Sequence, residues 1–190
     1  MPLLPFSSDA SEDMNIVELL RKDHEKVKML FREFESAGDQ KLNIVRQAIS
    51  ELELHAAAEE KVFYPAVLAD WPDAAASINE SFEEHHVMKL LIGELKDMSH
   101  EDERFDAKFT VLAENVKHHV KEEEAELFAK ARTGRLDLVD LGRRLTEAKS
   151  SFQSKQKEKK KKAQSNKKPT ARGAAFKKQP ARKPKKRTAA

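Results

Sequence analysis

Four stretches of this chain carry apolar residues at steps of three and four, and each stripe is interrupted by a histidine, in two cases followed one turn later by a glutamate. The stripes are Val17, Leu20, His24, Val27, Phe31, Phe34; Val45, Ala48, Leu52, His55, Glu59, Val62, Ala66; Ile78, Phe82, His85, Met88, Ile92, Leu95; and Phe105, Phe109, Leu112, Val116, His119, Glu123, Leu127. That spacing puts each set on one face of an α-helix. Four such faces joined by short links bury themselves by packing on one another, so the chain reads as an all-α, antiparallel up-down-up-down four-helix bundle.

Local signals place the helices. Asn15-Ile16-Val17-Glu18 has the spacing of a capping box and starts a helix that ends near Ala37-Gly38. A second helix is expected from about Asp39 to Leu68, loosened in its last turn by Pro65, which lacks a backbone donor and crowds the preceding turn. A third comes after Trp71-Pro72-Asp73 and reaches about Met98; a fourth runs from near Asp102 to Gly134. A short fifth helix is expected from Leu136 to about Phe152.

The two halves of the bundle resemble each other. Setting His24 on His85 aligns Val27-Lys28-Met29-Leu30-Phe31 with Met88-Lys89-Leu90-Leu91-Ile92, and setting His55 on His119 aligns Glu59-Glu60 with Glu123-Glu124. Each helix pair therefore offers one His and then a His-x-x-x-Glu, a self-similarity that bears on the fold itself. The repeat and the stripes together select His85 over His86 and His119 with Glu123 over His118 with Glu122. A fifth inward histidine from His86 or His118 would require a twisted helix.

A His and a Glu four residues apart project from one helix face and can reach a common point. Burying a carboxylate without compensation costs several kcal/mol or more. The inward positions carry no Lys or Arg, so His24, His55, Glu59, His85, His119 and Glu123 call for metal as the balancing charge. Two bridging carboxylates with two His per ion supply four protein donors to each and leave room for an exogenous ligand. Imidazole and carboxylate without thiolate suit two iron ions, with manganese the alternative.

Asp23-His24, His55-Ala56-Ala57-Ala58-Glu59-Glu60 with Phe63-Tyr64-Pro65, Glu84-His85-His86, and His118-His119-Val120-Lys121-Glu122-Glu123-Glu124 with Leu127-Phe128 resemble the hemerythrin-like, or HHE cation-binding, family over roughly residues 15–145. The resemblance implies a four-helix bundle around a non-haem, oxo- or hydroxo-bridged di-iron centre that meets dioxygen, nitric oxide or changes in iron and redox state. By that pattern the four histidines are terminal ligands and the two glutamates bridge. Oxygen-carrying hemerythrins use five histidines where four are assigned here, which favours sensing, iron handling or small redox chemistry over oxygen transport.

Other residues have plainer readings. A single inward His is more often a hydrogen-bonded core residue, Tyr64 reads as core although a phenol near a di-iron site could tune it, and Glu60, Glu83, Glu84, Glu122 and Glu124 read as wet faces or as hydrogen-bond acceptors for the ligand imidazoles. The chain has no cysteine, which excludes disulfides, thiolate metal sites and thiol catalysis. It has no apolar run of membrane-spanning length, and Met1 to Phe6 lacks the pattern of a secretory signal, so a cytoplasmic location is expected.

Charge divides the molecule. Residues 151–190 hold 16 basic side chains and one acid, which leaves 20 basic and 32 acidic side chains in residues 1–150. Three regions are expected: a flexible segment 1–14, the bundle with its fifth helix over 15–150, and a disordered Lys-rich tail over 151–190. Runs such as Lys159 to Lys162 would contact phosphate backbones without sequence preference, making residues 153–190 a candidate nucleic-acid contact and the nucleoid a candidate address. Three functions fit: a protein that binds or responds to oxygen, nitric oxide, iron or oxidative stress; a di-iron oxidoreductase consuming peroxide or nitric oxide; and a DNA-associated structural protein with the bundle as scaffold. The first is preferred to a dedicated enzyme.

Overall fold

A computed structural model describes residues 14–166. Its α-helices are α1 (Ile16–Glu35), α2 (Lys41–Ala58), α3 (Tyr64–Asp70), α4 (Ala75–Asp97), α5 (Phe105–Ala125), α6 (Leu127–Thr133) and α7 (Leu138–Asn166). The Asn15 side chain accepts from the Glu18 amide at 3.0 Å and so caps α1. The four long rods are α1, α2 with α3, α4, and α5 with α6, and they make the antiparallel bundle. No described helix is long and apolar enough to cross a membrane.

Both composite rods break just past an inward glutamate. Between α2 and α3 the chain makes a π turn, Glu59–Phe63, in which the Tyr64 amide donates to the Glu59 carbonyl. Pro65 explains its place, because a proline two residues into α3 has no N–H to offer the Lys61 carbonyl and needs a wider turn before it. The extra residue rotates the remainder of the rod. Val67, rather than the expected Ala66, is fully buried, and Phe63 and Tyr64 both turn inward beside Val62. In the second half α5 ends at Ala125 and α6 resumes at Leu127, and Leu127 and Phe128 both enter the core.

The core has two apolar clusters with a polar layer between them. One holds Val27, Phe31, Leu52, Met88, Ile92 and Leu112 with their neighbours. The other holds Leu20, Val62, Phe63, Ile78, Leu127 and Leu145. Each inward histidine lies between a residue of one cluster and a residue of the other, so the bundle carries its donors at mid-height.

Two further expectations are corrected. Phe82 is 40% exposed; Ser81 takes the inward place and Phe82 packs edge-on against Tyr64, with ring centroids 5.5 Å apart. The fifth helix continues to Asn166 instead of stopping near Phe152, so the first part of the expected tail, 151–166, is helical. Its Lys, Gln, Glu and Ala residues are good helix formers, and no Pro or Gly occurs between Gly142 and Pro169. Leu141, Leu145 and Ala148 bury the near end of α7 across α1, α2 and the π turn. The expectations for 1–13 and 167–190 lie outside the described residues.

Candidate metal centre

The helices bring all six expected donors into one layer. His24 comes from α1, His55 from α2, Glu59 from the π turn, His85 from α4, and His119 and Glu123 from α5, and every one is at least 96% buried. The imidazoles face each other in pairs, His24 Nε2 to His55 Nε2 at 3.1 Å and His85 Nε2 to His119 Nε2 at 3.3 Å. Each pair unites the two histidines of one sequence repeat. Glu59 serves both, with Oε1 at 2.9 Å from His55 Nε2 and Oε2 at 3.4 Å from His85 Nε2. Glu123 Oε2 lies 3.3 Å from His24 Nε2. His24, His55, Glu59 and Glu123 thus form one group of converging donors, and Glu59, His85 and His119 a second that shares Glu59. His86 is exposed and His118 lies at the surface, so neither joins this layer.

What orients the rings is a set of carboxylates outside them. Nδ1–H donates from His24 to Glu124 at 2.9 Å, from His55 to Asp23 at 3.2 Å, from His85 to Glu60 at 2.9 Å and from His119 to Glu84 at 2.7 Å. In a neutral ring each of these bonds leaves Nε2 as a lone pair aimed inward. The arrangement obeys the internal repeat. The acid before the first His of each half, Asp23 or Glu84, holds the second His of that half, whereas the acid after each inward Glu, Glu60 or Glu124, holds the first His of the other half. Even the cations match, since Lys89 bonds Glu60 and Lys28, aligned with it, lies 3.5 Å from Glu124.

The donors of this layer call for positive charge. Two facing lone pairs at 3.1 and 3.3 Å repel unless something positive lies between them. Both oxygens of Glu123 and Oε1 of Glu59 are buried without a hydrogen-bond partner, a costly condition for a carboxylate. The donor set, imidazole nitrogen and carboxylate oxygen, therefore fits a pair of divalent or trivalent ions.

Protonation tells the same story. Burial opposes charge on His55, but Glu59 and Asp23 outweigh it and raise its pKa to about 10. Burial and the neighbouring Glu59 charge push Glu123 above the usual carboxylate value, while His55 and His85 outweigh burial and hold Glu59 well below it. A proton on His55 thus stands where metal charge would, and metal must displace it. Asp23, Glu60, Glu84 and Glu124 are each held low, burial being outweighed by the imidazole N–H they accept.

Tyr64 reads as core in the sequence, and it does more than fill space. It is buried, yet its O–H donates to Glu59 Oε2 at 3.4 Å and lies 3.4 Å from His85 Nε2. Burial and the charges of Glu59 and Glu123 push this phenol well above its ordinary pKa, so it remains a donor. The repeat held the signal: Tyr64 aligns with Phe128, which stacks on His24 with centroids 5.5 Å apart. One half of the centre is thus lined by a phenyl ring and the other by a hydroxyl.

Comparison with known proteins agrees with the geometry. The family model described as the hemerythrin HHE cation binding domain matches residues 15–131. A protein of Nostoc sp. named DNA nickase is 37% identical over 123 residues, which cover 64% of this chain and 34% of that protein. The chain thus spans about a third of that relative's length. The crystal structure of a hemerythrin HHE cation binding domain-containing protein from Mycobacterium kansasii superposes with a TM-score of 0.65 at 19% identity, covering 75% of this chain and 89% of that one, a likeness of fold.

Proposed function

The chain belongs to the hemerythrin HHE cation-binding domain family, and from that premise we propose that it is a non-haem di-iron protein that binds and responds to dioxygen, nitric oxide or peroxide. The observation that carries the reading is the shared carboxylate: Glu59 presents one oxygen to each histidine pair, as a bridge between two ions requires. His24 and His55 would hold one ion with Glu123, and His85 and His119 the other. Iron suits the thiolate-free set, and manganese is the second choice.

When bound, the iron pair supplies one- and two-electron chemistry toward small oxygen and nitrogen species. The chain's own residues supply the rest. Four carboxylates fix the imidazole tautomers, the two apolar clusters keep bulk water from the layer, and Tyr64 holds a hydroxyl proton beside the His85 and His119 half. That half has three protein donors against four in the other, so it is where an exogenous ligand would bind and meet the phenol. An exchangeable position suits sensing or redox reaction better than stable oxygen carriage.

Metal analysis with an optical spectrum tests the proposal. Two irons per chain with the near-ultraviolet charge transfer of a bridged pair are expected; iron-free protein after iron-replete expression would overturn it. Turnover then divides sensor from enzyme, since catalytic consumption of peroxide or nitric oxide makes the protein an oxidoreductase and stoichiometric reaction makes it a sensor.

A second reading concerns the basic end. The far half of helix α7 carries Lys155, Lys157, Lys159 and Lys161 on exposed positions, and a relative is named a DNA nickase. We assign residues 153–190 a sequence-independent contact with nucleic-acid phosphates, with the steep salt dependence that counterion release produces. Nicking itself stays with the relative, most of whose length has no counterpart in this chain.

A further inference from the structure

The pseudo-symmetry of the centre also fails around the acids that orient its second histidines. On the α1 and α2 side α7 lies over the bundle, and its Lys149 bonds Asp23, the acid that orients His55. At the equivalent position on the other side, Glu84 has no such cover. Its Oε2 accepts from His119, while its Oε1 faces His118 Nε2 at 3.8 Å, and His118 Nε2 lies 3.2 Å from Glu122 Oε1. Glu84, His118 and Glu122 thus form a further group of converging donors at the surface.

This group stands beside a cavity of about 290 Å³ between α4 and α5. Glu80, Glu84, Glu122 and Glu126 line it, and no Lys or Arg does so among the described residues. Its lining reaches inward to Glu123, which is 2% exposed and whose two oxygens have no hydrogen-bond partner. An acidic rim would by itself be an ordinary wet surface. Here it leads to an unpartnered carboxylate that already belongs to the centre.

We propose that this crevice is the path by which divalent cations reach and leave the buried centre, passing the Glu84, His118 and Glu122 donors on the way to Glu123. The inference rests on the metal-centre reading. A divalent cation gives up its hydration shell only as other donors replace it, and carboxylates at the mouth of a cleft raise the local cation concentration. Routes along the bundle axis cross the apolar clusters, and α7 with Lys149 closes the opposite face.

The test measures ferrous iron uptake by metal-free protein without oxygen, and iron loss from the loaded protein to a chelator. Glu80→Gln, Glu122→Gln and Glu126→Gln combined, all at exposed positions, should slow both by about tenfold and flatten their dependence on ionic strength. Final iron per chain should not change, because the crevice assists transit rather than residence. A charge-matched control at the other end of the bundle, Glu35→Gln with Glu101→Gln and Glu103→Gln, should stay within about twofold. Unchanged rates in the crevice variant overturn the path, as does equal slowing in the control or a lower final iron content. Wild-type protein that takes up no iron overturns the metal centre as well, so the two failures are distinct.

Discussion

Each imidazole of the centre is held by a carboxylate next in sequence to another residue of the centre, so one substitution there acts on a ring contributed by a different helix. Asp23→Ala frees His55 and Glu84→Ala frees His119. Each should weaken metal binding by about 10- to 100-fold in chelator competition while leaving helicity unchanged. Glu59→Gln should do more than Glu123→Gln, because only Glu59 belongs to both donor groups; metal content per chain reads the difference. The pH behaviour stems from His55. Its folded pKa, about 10, lies above the ordinary 6.5. In the metal-free protein its contribution to stability is therefore complete below the ordinary value and is lost as pH rises toward 10. Denaturation midpoints of metal-free protein should fall over that range, and loaded protein should not show the fall, because metal replaces the proton.

At the scale of elements, α7 and the two helix breaks shape the centre. Gly142 sits where α7 crosses the start of α1, and a Cβ there would lie 2.2 Å from the Met14 carbonyl oxygen and 3.3 Å from Ile16 N. Gly142→Ala must push the helices apart at backbone atoms that cannot rotate away, with an expected loss of about 1–3 kcal/mol in denaturant unfolding. The π turn has a different use. By inserting one residue after Glu59 it brings Tyr64, in place of a purely apolar side chain, against His85. Tyr64→Phe should retain metal content and shift the optical spectrum of the nitric-oxide adduct, since only the hydroxyl is removed.

At the scale of the molecule, an acidic bundle and a basic extension share one long helix. Deleting 153–190 should abolish salt-sensitive nucleic-acid retention in a mobility-shift assay while leaving metal content intact, because the centre draws nothing from beyond Lys149. His55→Ala should do the reverse. If it disturbed nucleic-acid binding as strongly as the deletion, the two parts would not be independent.

Periodicity is a property of single helices, and it sufficed to read the bundle, the inward positions 24, 55, 59, 85, 119 and 123, and the inward turn of His85 and His119 in place of their neighbours, whose side chains are exposed. It misplaced Phe82 and Ala66 and ended the fifth helix early, because a register shift at a π turn and the continuation of a polar helix leave little trace in an apolar stripe. No stripe could tell that Asp23 orients His55 rather than the adjacent His24, that Glu59 faces both pairs, that Tyr64 reaches His85, and that α7 covers one face and leaves the other open. Those facts depend on which helices stand side by side and how they are rotated, and packing between helices sets both.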